Sequence, residues 1–258
     1  MKPATHPQYP QGSPQPGAQV PWAGRPARFG WQRTPWLTGV VLLVTAIPNV
    51  AQLAVPGLEG RWDRSPAELH GERWRIVTAL FVQDGGVLGT ISNLGFLVVI
   101  GALAEQVLSR PRWLVHYFGV GMVSGLIGDL WQPVGAGNSI AICGLTGGAA
   151  LALWRADIRL PSYTPQAILI WCGALLATLS HALYAPMIIA GVILAAGTRA
   201  AQEKHKPVQR ATTLVAAITA VVLTAATNIH GPALLLGAIL GTLTTQTRRQ
   251  LRPTPSRP

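Results

Sequence analysis

The chain has 258 residues, 49% of them hydrophobic and only 11% charged, where a soluble domain carries about 25% charged residues. That balance makes lipid the expected solvent and excludes an ordinary soluble domain. The net charge of +11 does not point to nucleic acid, because Lys and Arg stand in short clusters between apolar runs, where they act as topology signals.

Residues 1–34 are rich in Pro, Gln and Gly and poor in large apolar side chains, so they are expected to form a disordered cytoplasmic tail. Apolar runs follow at roughly 36–55, 86–107, 113–132, 138–154, 166–180, 184–198, 211–227 and 230–246. The first begins too far into the chain, and lacks the small-residue cleavage site, to be a signal peptide; it reads as a retained span. A full span needs about 20 residues. The runs at 166–180 and 184–198 are shorter, and joining them would bury Pro186 in the middle of one helix, so a tight hairpin is expected. In lipid every backbone group must be paired internally, which makes all these runs helices. The reading is an all-α transmembrane bundle of about eight helices over residues 35–246, closed by a basic cytoplasmic tail over 247–258.

Charge supports that count. With the N-terminus inside, Arg110 and Arg112, then Arg155 and Arg159, then Arg199, Lys204, Lys206 and Arg210, then Arg248, Arg249 and Arg252 all fall inside. The turns near 134–137, 181–183 and 228–229 carry no Lys or Arg, and the outer loop 57–75 balances four arginines with four acids. Every basic cluster then obeys the positive-inside rule. Trp36, Trp113, Trp131 and Trp154 fall at span ends and read as interface anchors. Glu105 lies near Arg110 and Arg112, with which it is expected to pair. Cys143 and Cys172 lie inside apolar runs without zinc spacing or a disulfide framework, and no metal or cofactor is implied.

Three polar residues stand out against this background. Ser139 follows Gly135-Ala136-Gly137-Asn138 and opens an apolar run, so it occupies a helix N-terminus whose free N–H groups can stabilise an oxyanion. The same residues would also serve as an N-cap after a glycine-rich turn. His230, in Asn228-Ile229-His230-Gly231-Pro232, lies on the same outer side and heads a run with Gly237 and Gly241 on its own face. It suits a base for a serine nucleophile, and equally a turn between two spans. Asn93 lies about two turns into the second run, where its amide suits either an oxyanion or a bond between helices.

Residues 73–155 resemble the core of the rhomboid family of intramembrane serine proteases. Arg73-Trp74-Arg75 resembles the Trp-Arg segment of the family's first loop, and Asn93 matches the asparagine of its H-x-x-x-N motif. Gly101-Ala102-Leu103-Ala104-Glu105 is similar to the end of that helix. Gly137-Asn138-Ser139 matches the start of G-x-S-G, with Gly144 and Gly147 following, and His230 with Gly237 and Gly241 matches the catalytic histidine and its glycine-spaced helix. The resemblance implies a Ser139–His230 dyad that hydrolyses a peptide bond of a single-span or other membrane-protein substrate. Asn93 and the Ser139 backbone N–H would hold the oxyanion, with Asn138 as helper.

The sequence departs from the pattern at three places. Ile140 replaces the second glycine of G-x-S-G, Gly89 stands where the motif has its histidine, and Cys143 stands where an aromatic usually packs on the catalytic histidine. The 91 residues between Ser139 and His230 exceed what six helices need, and one additional hairpin accounts for them. His181, on the same side, is a rival base that lacks the glycines seven and eleven residues on; His230 is preferred. The alternative to a slow protease is a catalytically inactive rhomboid-like protein that holds client transmembrane helices.

Overall fold

The computed structural model describes residues 31, 33–155, 160–180, 182, 184–200 and 205–250. Eight rods cross it in chain order: α1 (Trp36–Ala54), α2 (Gly86–Val107), α3 (110–128), α4 (Ser139–Arg155), α5 (Thr164–Ala177), α6 (Tyr184–Ala200), α7 (His205–Ala225) and α8 (His230–Gln250). No strand is present among the described residues. The expected eight helices and the 166–198 hairpin are both there, the latter as α5 and α6. Three helices, α1, α2 and the 206–225 part of α7, are long and apolar enough to cross a membrane, and four others are shorter apolar helices.

Helix α4 is apolar on all sides and buried on nearly all of them, as a central helix must be. Its glycines fix how close the neighbours come. A Cβ at Gly147 would lie 2.6 Å from the Ala238 nitrogen, and one at Gly237 would lie 2.9 Å from the Gly144 carbonyl carbon. Backbone therefore meets backbone between α4 and α8, the close approach that small residues permit in membranes. A Cβ at Gly144 would also strike the His116 carbonyl of α3. Helix α6 packs on α5 through the Gly173–Gly191 contact, and Phe96 of α2 meets Trp171 of α5 at 4.4 Å between ring centroids.

Helices α2 and α3 each contain a π turn, at Leu97–Gly101 and Val115–Gly119. The Gly101 carbonyl accepts a 2.9 Å hydrogen bond from the Trp113 indole. Trp113 is thus fully buried, stacked on Tyr117 at 5.2 Å, and is a packing residue where an interface anchor was expected. Trp36 and Trp154 remain exposed at span ends, with Arg110 and Arg210 over their rings. Glu105 also differs from expectation. Its carboxylate accepts the Leu37 and Thr38 backbone N–H groups and the Thr38 hydroxyl, and so satisfies the free donors at the start of α1.

The loop from α1 to α2 folds into short helical turns at Leu58–Trp62, Pro66–His70, Arg75–Thr78 and Ala79–Phe81. Its charges pair internally: Arg75 meets Asp63 at 2.9 Å and also binds Glu72. Arg64 is buried and reaches the Gly125 carbonyl and Asp129, 3.1 Å away, at the end of α3. The loop is thereby fastened to the same end of the bundle that carries Ser139.

Candidate active site

The approach to Ser139 is held by backbone. Arg64 and Gly135 exchange two hydrogen bonds, of 2.9 and 3.2 Å. The Gly137 N–H donates to the Ala79 carbonyl at 2.8 Å, and Ala136 N–H donates to Asp84 Oδ2 at 3.2 Å. Gly137 has φ +140°, and a Cβ there would lie 2.6 Å from Gln83 Oε1, so only glycine fits. The Asn138 carbonyl then accepts the first helical bond of α4, from Ile142 at 2.9 Å. Ser139 is consequently the first residue of the helix, and its N–H finds no acceptor among the described residues.

Helix α8 starts on the other side of the same space. Helix α7 ends with Thr227 in the left-handed region, φ +54°, which is a helix stop. Asn228 follows as the cap of α8: its Oδ1 accepts the His230 backbone N–H at 3.0 Å. The same oxygen lies 2.6 Å from His230 Nδ1, and His230 Nε2 lies 2.9 Å from Ser139 Oγ. Asn228 Nδ2 in turn donates to Thr178 Oγ1 at 3.1 Å, at the end of α5. A backbone N–H only donates, so the Asn228 atom it meets is the carbonyl oxygen. Nδ1 must then carry the ring proton, which leaves Nε2 as an acceptor for the Ser139 hydroxyl.

The structure brings Ser139 and His230 together across 91 positions of chain. His181 lies outside the described residues. Asn93 is buried, and its Nδ2 donates to Gln83 Oε1 at 2.5 Å, beside Gly137. Asn138 stands apart, contrary to the expected helper role. Its amide donates to the Tyr117 hydroxyl at 3.2 Å, and that hydroxyl also contacts Thr45 of α1, so this side chain braces three helices. Two residues were missed from sequence. Asn228 sits in the polar step before His230, where a helix cap is its ordinary meaning. Gln83 belongs to the first loop, and only the folding of that loop brings it to Asn93.

Outside the spans, Glu68 is buried against Asp129, and burial, reinforced by that neighbouring carboxylate, pushes its carboxyl up to about 8 despite nearby Arg64 and Arg75. Asp63 is also raised, first by burial, although Arg75 opposes the shift.

A bundle of apolar helices with a serine hydroxyl and an oriented imidazole at the same end of its two most intimately packed helices defines a polytopic integral membrane protein with a serine–histidine centre. The family model of the rhomboid domain matches residues 70–186, a range that holds Asn93, Asn138 and Ser139 and ends before His230. Over 88 residues the chain is 34% identical to "Rhomboid-like protease 3" of Toxoplasma gondii, a stretch that covers 33% of this chain and 33% of that protein. The chain thus spans about a third of the length of that curated relative. No solved structure matches it. Residues 70–186 are thus similar to the rhomboid domain.

Proposed function

We propose that this protein is an intramembrane serine endopeptidase that cleaves single-span or other membrane-protein substrates. Both tails are cytoplasmic, the membrane is the plasma membrane, and the site opens to the outer face. The observation that carries the reading is the 2.9 Å contact between Ser139 Oγ and His230 Nε2, with the ring held from behind by Asn228. Ser139 Oγ attacks the scissile carbonyl carbon as its proton passes to Nε2, and the carbonyl electron pair moves onto oxygen. The tetrahedral oxyanion faces the Ser139 backbone N–H and the Asn93 amide. His230 then returns the proton to the departing amine, and water releases the acyl group from Ser139 by the same steps. The group behind the ring is a neutral amide, so it orients the imidazole without adding a charge to it.

The test compares purified protein with its Ser139→Ala variant on a panel of single-span substrates in lipid vesicles. Cleavage should be slow and should vanish in the variant, which keeps its fold because one hydroxyl contributes little to packing. Equal cleavage by both proteins would identify a contaminant. No cleavage by either, with stable binding of a transmembrane client, would replace the reading by that of an inactive rhomboid-like binder, a role consistent with Gly89 and Ile140.

A further inference from the structure

We propose that Gln83 is a catalytic residue whose Nε2–H group donates to the oxyanion from the space that a side chain at position 89 would fill. The inference rests on the protease reading above and deepens it.

The geometry is specific. Gln83 is 7% exposed. Its main chain is clamped on both sides by one residue of α1: its N–H donates to Gln52 Oε1 at 2.8 Å, and its carbonyl accepts from Gln52 Nε2 at 2.7 Å. Its side-chain oxygen accepts from Asn93 Nδ2 at 2.5 Å, which fixes the amide's orientation and turns Nε2 toward α2. There Nε2 would lie 2.9 Å from a Cβ at Gly89, with Gln83 Cγ at 3.2 Å. The Gln83 side chain therefore occupies the room of a residue-89 side chain. Its oxygen meets Gly137, two residues before Ser139, from the other side.

The chemistry follows from the donor inventory. An amide nitrogen carries two hydrogens. Gln83 Nε2 has no acceptor among the described residues. A donor that no protein group accepts from is available to an acceptor that arrives. The group that arrives beside Ser139 during attack is an oxygen gaining negative charge. Asn93 gives one N–H to Gln83 and keeps a second, so the two linked amides present adjacent donors on one wall. Fixed dipoles of this kind act where charge develops in the transition state and hardly change the binding of the neutral ground state.

Gly89 changes meaning on this reading. Adding a donor side chain there does not complete the site, because the place is taken. A histidine at 89 in the otherwise unchanged protein collides with Gln83.

The experiment uses the full chain in phosphatidylcholine–phosphatidylglycerol vesicles. It measures the rate at which a fluorophosphonate labels Ser139, and kcat and KM for any substrate that the wild type cleaves. The variants are Gln83→Ala, Gln83→Met, Gly89→His and the double Gln83→Ala/Gly89→His. Gln83→Met keeps the side chain's bulk and removes its donor. Loss of one oxyanion donor should lower labelling and kcat by about 10²–10³-fold with KM little changed. Gly89→His alone should also be slow. The double variant should recover at least about tenfold over Gln83→Ala, as one donor replaces another in the same space. A purely structural Gln83 would not be rescued from position 89, so failure of the rescue counts against the inference. Labelling of Gln83→Met within about twofold of wild type, or acceleration by Gly89→His alone, overturns it while the protease reading stands. Wild-type labelling no faster than in Ser139→Ala removes the protease reading, and this inference with it.

Discussion

At the scale of single residues, the backbone N–H of His230 does more than start a helix. It makes the facing Asn228 atom an oxygen, and this oxygen makes Nδ1 a donor and Nε2 an acceptor. Asn228 thus orients the imidazole that the proposed reaction uses as its base. Asn228→Ala should lower kcat on the order of 10²-fold, within the roughly 10²–10⁴ that a general base contributes. Asn228→Asp should restore most of the loss, since a carboxylate accepts from both N–H groups, whereas Asn228→Leu should not. Steady-state kinetics of the three variants in one lipid checks this. Equal rates for Ala and Asp would leave Asn228 a helix cap and nothing more. The Ser139–His230 contact was legible in the sequence because polar residues are rare in such spans and the charge pattern assigns both to one side of the membrane. Asn228 stands two residues before His230, where its ordinary local meaning is a helix cap. Asn138 misled because its position beside the serine says nothing about where its side chain points, and Tyr117 of α3 takes it.

At the scale of elements, the first loop is the part that sequence periodicity could not resolve. Its short turns follow from ion pairs and backbone bonds to distant segments: Arg75 with Asp63, Arg64 with Asp129 and Gly135. The helices were legible because lipid forces hydrogen-bonded closure on any apolar run. The shift of α3 to 110–128 was not, because its first turn is basic, with Pro111 at a position where the missing N–H does no harm. The loop also carries a titration. The Glu68 carboxyl has a folded-state value of about 8 against 4.5 when exposed. The folded protein therefore holds this proton more tightly than the unfolded chain does. The associated stability is complete below about pH 4.5 and is lost as pH rises toward 8 and beyond. The thermal midpoint in detergent should fall across this window, and Glu68→Gln should flatten the fall. An unchanged slope in Glu68→Gln would assign the dependence to other groups.

At the scale of the whole molecule, the basic clusters and the helix order make one topological claim. Reporter fusions after residues 183 and 205 should mark opposite sides of the membrane, the first outside and the second inside. Both on one side would remove the α5–α6 hairpin from the membrane. The long chain between Ser139 and His230 is tolerated because neither α5 nor α6 sets the distance between those two residues. That distance is set where α4 and α8 touch, at Gly144 and Gly237. These glycines lie five and seven residues in from the serine and the histidine, or about 7.5 and 10.5 Å at the helical rise. The contact is a fulcrum, and the two chemical groups ride on the short arms beyond it. A change of about 10° in the crossing of the two helices would swing those ends by roughly 1.5 Å, given such arms. That is enough to part a 2.9 Å hydrogen bond. The tilt of two helices, more than the shape of any loop, is therefore what keeps the serine and the imidazole engaged.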